Sequence, residues 1–281
     1  MSWPCGVDCA PVSCVIAELG GAMLQATTKK PTIFRKVIRE IRRPFRPKRP
    51  NPDVLYDQPP WVRDIVARVA PTFTMTSKER VASLCSSVEY IVRCNIPGAF
   101  VECGVWRGGS MMAIALALRH LGITDRDLYL FDTFTGMTPP SEVDRHAITG
   151  ASAKQVLETS AWLPAPIEEV RRNLDSTLYP SDRFALIEGR VEDTIPARAP
   201  EQIALLRLDT DWYESTLHEL IHLYPRLSPR GVLIIDDYGC FDGSKLATDK
   251  YISENRLPIM LHRIDAEGRM AIKQSFTTSC A

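Results

Sequence analysis

The sequence lacks an uninterrupted apolar run of about 18 residues, the length that a membrane-spanning helix needs. The segment from Val12 to Leu24 is shorter and is interrupted by Glu18 and two glycines. No basic stretch precedes this segment, although a secretory signal would require one. We therefore expect a cytoplasmic protein that does not span a membrane.

An excess of charge of one sign is also missing, because Lys and Arg together count 34 and Asp and Glu together count 34. This balance argues against a dedicated nucleic-acid-binding protein. The charge is nevertheless unevenly distributed, since residues 29–49 contain ten basic residues and one acidic residue, Glu40. This stretch has helical apolar periodicity and could make a weak contact with an anionic membrane surface, or it could be a solvated basic linker.

Cysteines are too few for a disulfide scaffold, with eight in 281 residues. Those in the body of the chain, such as Cys85 and Cys103, interrupt apolar runs and are typical of reduced core residues. Cys5, Cys9 and Cys14 are closely spaced, but the spacing fits no common zinc motif. We expect reduced thiols and no zinc site.

Prolines are concentrated between Pro44 and Pro60, which predicts an extended connection and a domain boundary. Residues 1–60 are predicted to form a basic, Pro-rich and partly disordered N-terminal extension. Residues 61–281 are predicted to form one catalytic domain, since a chain with 45% hydrophobic residues is long enough to bury a large core.

Five apolar runs without polar alternation follow the boundary, and helical patterns separate them. Such runs are typical of strands buried on both faces of a parallel sheet. The runs are AFVECG, DLYLFD, FALIEG, IALLRLD and GVLIIDD. They predict an α/β fold, Rossmann-like and doubly wound, with a mostly parallel sheet. The pieces PIMLHRID and RMAIKQ predict a C-terminal antiparallel hairpin, and residues 135–180 are left as an insertion on the substrate side.

A glycine-rich turn connects the first predicted strand to a helix. Its candidate cofactor-binding residues are Glu102, Cys103, Gly104, Gly108, Gly109 and Ser110. Glycines allow a ligand to approach the backbone, although a packing turn is the alternative, and the spacing is not that of the dinucleotide fingerprint. Asp132 ends the second strand and could accept hydrogen bonds from a ribose diol. With Gly189 and Arg190 after the third strand, these residues predict a nucleoside site.

Acidic residues follow the fourth and fifth strands: Asp209 and Asp211, then Asp236 and Asp237. Ligands of open α/β sheets bind at the carboxyl ends of the strands, so these carboxylates should lie in one crevice. A divalent cation would relieve their repulsion, and oxygen ligands favour Mg²⁺ or Mn²⁺ over zinc. The alternative, that some of them cap helices, accounts for Asp211 but not for the adjacent pair.

The strings TMTSKER, VECGVWRGGS, LFDTFTGM, LRLDTDWYEST and GVLIIDDYG resemble those of the macrocin O-methyltransferase (TylF) family. This family contains metal-dependent enzymes that methylate sugar hydroxyls of natural products. The resemblance covers about Pro71 to Lys273 and implies the class I methyltransferase fold. It leaves residues 1 to about 60 unexplained.

The resemblance implies roles for residues at matching positions. Glu102, Gly104 and Asp132 would hold S-adenosylmethionine, and Asp211 would be the general base. Metal ligands would be Asp209, Asp236 and Asp237. Thr76, Ser77 and Arg80 match a family segment without individual roles.

The predicted function is Mg²⁺-dependent methyl transfer from S-adenosylmethionine to a hydroxyl of a small-molecule glycoside. We also expect a homo-oligomer and no nucleic-acid partner. Two alternatives stay open at this point, an NAD-type oxidoreductase and a non-catalytic binding protein on the same fold.

Overall fold

The structure is a computed structural model that describes residues 55–159 and 164–275. These residues belong to one compact unit, Asn51–Ala281. The basic stretch at 29–49 and the cysteines at 5, 9 and 14 lie outside the described residues, so the predictions for them stay predictions.

Helices and strands alternate along the described chain. The helices are α1 (Pro60–Val69), α2 (Lys78–Arg93), α3 (Gly109–His120), α4 (Ala153–Thr159), α5 (Ile167–Asp175), α6 (Val191–Thr194), α7 (Tyr213–Leu223) and α8 (Asp242–Glu254). The strands are β1 (Ala99–Cys103), β2 (Leu128–Asp132), β3 (Phe184–Glu188), β4 (Ile203–Leu208), β5 (Leu227–Ile235), β6 (His262–Arg263) and β7 (Arg269–Ile272). None of the helices in these two described ranges has the length and apolar character to cross a membrane.

The strands form one seven-stranded sheet in the order β3-β2-β1-β4-β5-β7-β6. Strands β1 to β5 are parallel, whereas β7 pairs antiparallel with both β5 and β6. The order reverses between β1 and β4, which creates a crevice at the carboxyl ends of the strands. The predicted doubly wound, mostly parallel sheet with an antiparallel end is therefore confirmed.

Burial on both faces explains why apolar residues run through these strands without interruption. Every residue of β4 is buried. In β1, Phe100 packs into one hydrophobic cluster and Val101 into the other, because successive side chains of a strand point to opposite faces. Complete burial of a side chain such as Phe100 contributes about 1.5–3 kcal/mol, so the central strands anchor the site at their ends.

The C-terminal hairpin is shorter than the sequence predicts. Its first strand was expected over residues 258–265, but only His262 and Arg263 pair, with Met270 and Arg269. Pro258 has no N–H to donate to a ladder, and Met260 is 78% exposed at the sheet edge. Without a donor or burial, this part of the chain gains little from strand geometry.

The region predicted as an insertion, residues 135–180, contains α4 and α5 and packs onto the loop after β4. Trp212 Nε1 donates to the carbonyl oxygen of Thr138 at 2.9 Å, and Tyr213 N–H donates to Asp144 Oδ1 at 2.8 Å. These two hydrogen bonds fix the chain on the C-terminal side of Asp211, which positions that carboxylate.

Candidate active site

A cavity of about 400 Å³ lies at the carboxyl ends of β1, β2, β4 and β5. The predicted site residues that line it are Gly104, Ser110, Asp132, Asp209, Asp211, Asp236 and Asp237. A smaller pocket of about 60 Å³ adjoins it and is lined by Gly189, Arg190, Gly104 and Asp132. The two pockets share a wall, so residues from five strand ends meet in one place.

Four of the predicted cofactor-binding residues do not line either pocket, namely Glu102, Cys103, Gly108 and Gly109. Gly109 packs against the loop before α2: its N–H donates to the Phe73 carbonyl at 2.9 Å, and a Cβ at Gly109 would lie 2.4 Å from that oxygen. A side chain there would displace the loop. The packing role that the sequence left as an alternative therefore accounts for Gly109.

Gly104 is needed where β1 and β4 approach each other. It has φ +81°, and a Cβ on it would lie 1.9 Å from the carbonyl oxygen of Asp209. Only glycine tolerates both the left-handed backbone and this contact. It thus brings the glycine-rich turn after β1 against the first of the aspartates.

Asp132 joins the loops that follow β1 and β2. Its Oδ2 accepts N–H groups of Val105 at 2.6 Å and Trp106 at 3.1 Å, and its Oδ1 accepts the N–H of Phe134 at 2.7 Å. Trp106 and Phe134 both have positive φ, 46° and 54°. A carboxylate has about four acceptor positions, so one remains available to a ligand.

Arg207 is a site residue that the sequence reasoning missed. This arginine is 2% exposed, and its Nη1 donates to Glu102 Oε1 at 2.5 Å and to Asp209 Oδ2 at 2.6 Å. Its Nη2 lies 2.7 Å from Asp236 Oδ1. Burial raises the pKa of Glu102 to about 7, although Arg207 opposes this shift. The available signal was a lone arginine inside an apolar strand, because a buried charge needs partners.

Arg80, in the first turn of α2, forms a second set of ion pairs. Its guanidinium contacts Asp236 through Nη1, Asp265 through Nε at 3.0 Å and Glu267 through Nη2 at 2.6 Å. Thr76 Oγ1 also donates to Asp236 Oδ2 at 2.7 Å. Asp236 is therefore held between Arg80, Arg207 and Thr76, which gives two residues of the TMTSKER segment a function.

A different trio of aspartates offers the arrangement that a cation needs. Asp209, Asp211 and Asp237 can each supply one carboxylate oxygen, and these three oxygens lie within 4.8 Å of one another. Asp237 Oδ2 is buried and has no hydrogen-bond partner. An oxygen-only set with an orphaned carboxylate oxygen fits Mg²⁺ or Mn²⁺. Asp236, predicted as the third ligand, stands outside this trio.

Burial raises the pKa of all three members of this trio. It raises that of Asp211 to about 7, and repulsion from Asp209 and Asp236 adds to the effect. Asp209 and Asp237 also have pKa values well above the usual range, for the same main reason. Asp211 has a left-handed backbone with φ +66°, a strained conformation that is concentrated at functional sites.

His146, in the region predicted as an insertion on the substrate side, does not line the cavity. Its Nδ1 lies 3.1 Å from Thr149 Oγ1, and its ring packs edge-on against Phe241. His120 stacks on Trp61, and His218 Nε2 lies 3.0 Å from the Ile195 carbonyl oxygen. These contacts give the three histidines structural roles.

The sheet order, with a cavity at the switch point, is that of the class I methyltransferase fold. Comparison with protein families identifies one family: the sequence of residues 60–272 matches the family described as "Macrocin-O-methyltransferase (TylF)". The chain belongs to this family and is an S-adenosylmethionine-dependent O-methyltransferase. This assignment confirms the resemblance and leaves no support for the NAD-type oxidoreductase.

Characterised relatives share about a third of their residues with this chain. One relative, from Streptomyces olivaceus, is named 8-demethyl-8-(2,3-dimethoxy-α-L-rhamnosyl)-tetracenomycin-C 4'-O-methyltransferase. It is 36% identical to this chain over 69% of this chain and 73% of its own length. The mycinamicin III 3''-O-methyltransferase of Micromonospora griseorubida is 32% identical over 69% of this chain and 76% of its own.

Solved structures agree with the fold. The O-methyltransferase NovP superposes with a TM-score of 0.65 at 31% identity, over 73% of this chain and 84% of NovP. The calicheamicin methyltransferase CalS11 superposes with a TM-score of 0.58 at 20% identity, over 90% of this chain and 98% of its own, which supports the fold alone.

Proposed function

We propose that this enzyme methylates a hydroxyl group of a sugar in a glycosylated small molecule, with the assistance of Mg²⁺ or Mn²⁺. The observation that carries the metal part is the trio Asp209, Asp211 and Asp237 with its orphaned oxygen. The sugar part is supported by the tetracenomycin relative, whose name specifies a rhamnosyl group on the compound that it methylates.

Asp209 and Asp237 would hold the cation at the floor of the cavity. Asp236 as a third ligand stays a prediction, and the contacts of its carboxylate with two arginines favour Asp211 in its place. When bound, the cation would lower the pKa of an acceptor hydroxyl. Asp211 has a second carboxylate oxygen with which to accept the hydroxyl proton, so a cation contact and the general-base role are compatible.

Binding of S-adenosylmethionine would fall to the opposite wall. Gly104 permits close approach to the backbone, and Asp132 has an acceptor position left for ribose. Gly189 and Arg190, in the adjoining pocket, would receive the adenine end. Glu102 would act indirectly, through its ion pair with Arg207. The cofactor roles of Cys103, Gly108, Gly109 and Ser110 stay predictions.

A panel of acceptors tests the sugar assignment. The enzyme would be incubated with isotopically labelled S-adenosylmethionine, Mg²⁺ and either glycosides or catechol-type phenols of similar size. We expect label in an O-methyl sugar after acid hydrolysis and mass spectrometry. Label in phenols alone would overturn the sugar assignment while leaving methyl transfer intact. No transfer to any acceptor, in protein that binds S-adenosylhomocysteine, would favour the non-catalytic alternative.

The division into an extension of residues 1–60 and a catalytic domain of residues 61–281 also remains a proposal. Its support is that the family match begins at residue 60 and that the compact unit begins at Asn51. A chain that starts at Asp53 should fold and retain turnover within about threefold, because all proposed site residues follow Pro71. Loss of activity in a folded truncation would assign the extension to the site. The cytoplasmic location, membrane contact and homo-oligomer stay predictions.

A further inference from the structure

A buried acidic residue close to the aspartate trio takes no part in the proposed binding of cofactor or metal. Glu219 lies in helix α7, is 0% exposed and lines neither pocket of the site. Its Oε2 has no hydrogen-bond partner among residues 55–159 and 164–275, the described part of the chain. Because a buried polar atom without a partner is costly, this carboxyl contributes little to stability by itself. Its remaining contact therefore points to another role.

That contact is with the loop that carries two members of the trio. Thr210 Oγ1 donates to Glu219 Oε1 at 2.9 Å. Thr210 stands between Asp209 and Asp211 in the sequence and is not itself a member of the trio. The hydrogen bond therefore ties the middle of this loop to helix α7 without occupying an oxygen of either aspartate.

Asp211 needs an anchor on its N-terminal side because its backbone is strained. Its φ is +66°, and a residue other than glycine keeps such a conformation only where the surrounding structure holds it. On the C-terminal side, the next two residues are fixed by their hydrogen bonds to the insertion region. On the N-terminal side, the side chain of Thr210 is fixed by Glu219. The strained residue is therefore held from both sides.

Helix α7 is a firm support for such an anchor. Leu220 and Leu223 of this helix are 1% and 0% exposed, and they belong to the same hydrophobic cluster as Leu206 and Leu208 of β4. A group on a packed helix holds its partner more precisely than a group on a loop does. Glu219 can therefore transmit the rigidity of the core to the loop after β4.

Glu219 can hold this loop without adding charge to the site. Burial raises the pKa of Glu219 well above its usual range, although the hydrogen bond from Thr210 lowers it. The carboxyl is therefore neutral near pH 7. A glutamine amide has a similar shape and keeps an acceptor oxygen, whereas a leucine side chain cannot accept the hydrogen bond.

We propose that Glu219 is a positioning residue for the metal site, acting through Thr210 to hold the loop of Asp209 and Asp211 in the geometry that one divalent cation requires. This inference rests on the metal part of the proposed function and assigns to it a residue outside the cavity. Groups that orient metal ligands typically contribute a factor of about 10 to 100 in metal affinity. We expect the lower end of this range, because Glu219 acts through an intervening residue.

The test measures Mn²⁺ binding to the full-length protein without substrate, by electron paramagnetic resonance or calorimetry. Glu219→Leu should bind Mn²⁺ about tenfold more weakly than the wild type, whereas Glu219→Gln should stay within about threefold. Thr210→Val, which removes the donor, should cause a loss similar to that of Glu219→Leu. The double variant Glu219→Leu/Thr210→Val should be no weaker than either single variant, because both act through one hydrogen bond.

Two controls separate positioning from general damage to helix α7. Leu220→Ala removes a buried side chain next to Glu219, so it should lower stability in chemical denaturation while Mn²⁺ affinity stays within about threefold. Glu214→Leu removes an exposed acid of the same helix and should leave Mn²⁺ affinity unchanged. In metal-free Glu219→Leu, the amides of Asp211 and Trp212 should exchange hydrogen faster than in Glu214→Leu, because the loop has lost its anchor.

The inference and the proposed function fail in different ways. If wild type binds Mn²⁺ and folded Glu219→Leu binds it as tightly as Glu214→Leu, the inference is wrong and the metal site stands. Equal losses in Glu219→Leu and Leu220→Ala, or in Glu219→Leu and Glu219→Gln, would also overturn it. Should Glu219→Leu not fold, Thr210→Val and Thr210→Ser carry the same test, and equal affinity of these two contradicts the inference. A wild type that binds no Mn²⁺ would contradict the metal part of the proposed function and the inference together.

Discussion

The two walls of the cavity satisfy their polar groups in different ways. On the wall formed by β1 and β2, Asp132 accepts hydrogen bonds from backbone N–H groups, and these bonds also hold the loops in shape. On the wall formed by β4 and β5, Asp209 and Asp236 are compensated by Arg207 and Arg80, and Asp237 keeps an orphaned oxygen. The carboxylate of Asp132 is therefore satisfied mainly by its own chain, whereas Asp237 on the other wall keeps an oxygen without a partner.

This difference predicts that substitutions on the two walls have different consequences. Changes on the β1–β2 wall should weaken cofactor binding and leave the response to metal unchanged. Changes on the β4–β5 wall should alter metal dependence, proton balance and turnover. Asp125→Asn is a matched control for every Asp→Asn variant, because Asp125 is exposed before β2, at the end of the sheet away from the cavity.

Among the changes considered, Asp211→Asn should have the largest effect, and this effect is on the rate of methyl transfer. Loss of a general base typically lowers the rate by about 10² to 10⁴, while the affinity for S-adenosylhomocysteine should stay within twofold. Single-turnover kinetics and calorimetry measure the two quantities separately. A variant as fast as Asp125→Asn would remove Asp211 from the base role.

Arg207→Met should mainly lower stability. Removal of one partner from a buried ion pair leaves Glu102, Asp209 and Asp236 without their shared cation, and such losses cost about 3–5 kcal/mol. Chemical denaturation of the metal-free protein measures this cost. The double variant Glu102→Gln/Arg207→Met should recover part of it. Equal stability of Arg207→Met and the wild type would show that the network contributes nothing to folding.

Asp132→Ala should weaken S-adenosylhomocysteine binding by about tenfold or more, because hydrogen bonds to a charged acceptor contribute about 1.5–3 kcal/mol. The loops should also loosen, since three backbone N–H groups lose their acceptor. Calorimetry with S-adenosylhomocysteine and hydrogen exchange of Val105 and Phe134 measure the two effects. Unchanged affinity with faster exchange would assign Asp132 to loop structure alone.

Metal binding should release protons, and this is the smallest of the expected effects. Burial raises the pKa of Asp211 to about 7, so the metal-free site is partly protonated at neutral pH and Mg²⁺ must displace the proton. Affinity for Mg²⁺ should rise severalfold from pH 6 to pH 8, and the acidic limb of the rate profile should follow.

The same shift makes the metal-free protein less stable as pH rises. Protonated Asp211 is favoured in the folded state, so its contribution to stability is complete below about pH 4 and is lost as pH rises through about 7. Calorimetry of Mg²⁺ binding in two buffers with different ionisation enthalpies counts the protons that the metal displaces. Zero release at pH 6.5 would contradict the raised pKa values.

Periodicity in the sequence was sufficient for most of the fold. The central strands are buried on both faces, so their apolar runs stood out, and all five predicted runs form strands of the parallel part of the sheet. The first strand of the hairpin was misjudged because Pro258 has no N–H to donate and Met260 is exposed at the sheet edge. Apolar composition predicts a strand correctly only where the side chains of that strand are buried.

The individual roles of the aspartates could not be predicted in the same way. Strand order brings Asp209, Asp211, Asp236 and Asp237 to one crevice, but which carboxylates meet depends on the positions of two arginines from distant segments. Arg80 and Arg207 are 127 positions apart in the sequence, yet both contact Asp236. No local pattern reports such a contact, so the partners of Asp236 were found only in three dimensions.

The most direct measurement of the central claim is the rate of methyl transfer against Mg²⁺ concentration after EDTA treatment, for the wild type and for Asp209→Asn, Asp237→Asn, Asp236→Asn and Asp125→Asn. We expect negligible activity without the metal. Asp209→Asn and Asp237→Asn should need the largest increase in Mg²⁺ for half-maximal rate, because a neutral amide is a weaker ligand than a carboxylate. Asp125→Asn should match the wild type. Full activity of the wild type in EDTA would contradict the metal-assisted mechanism.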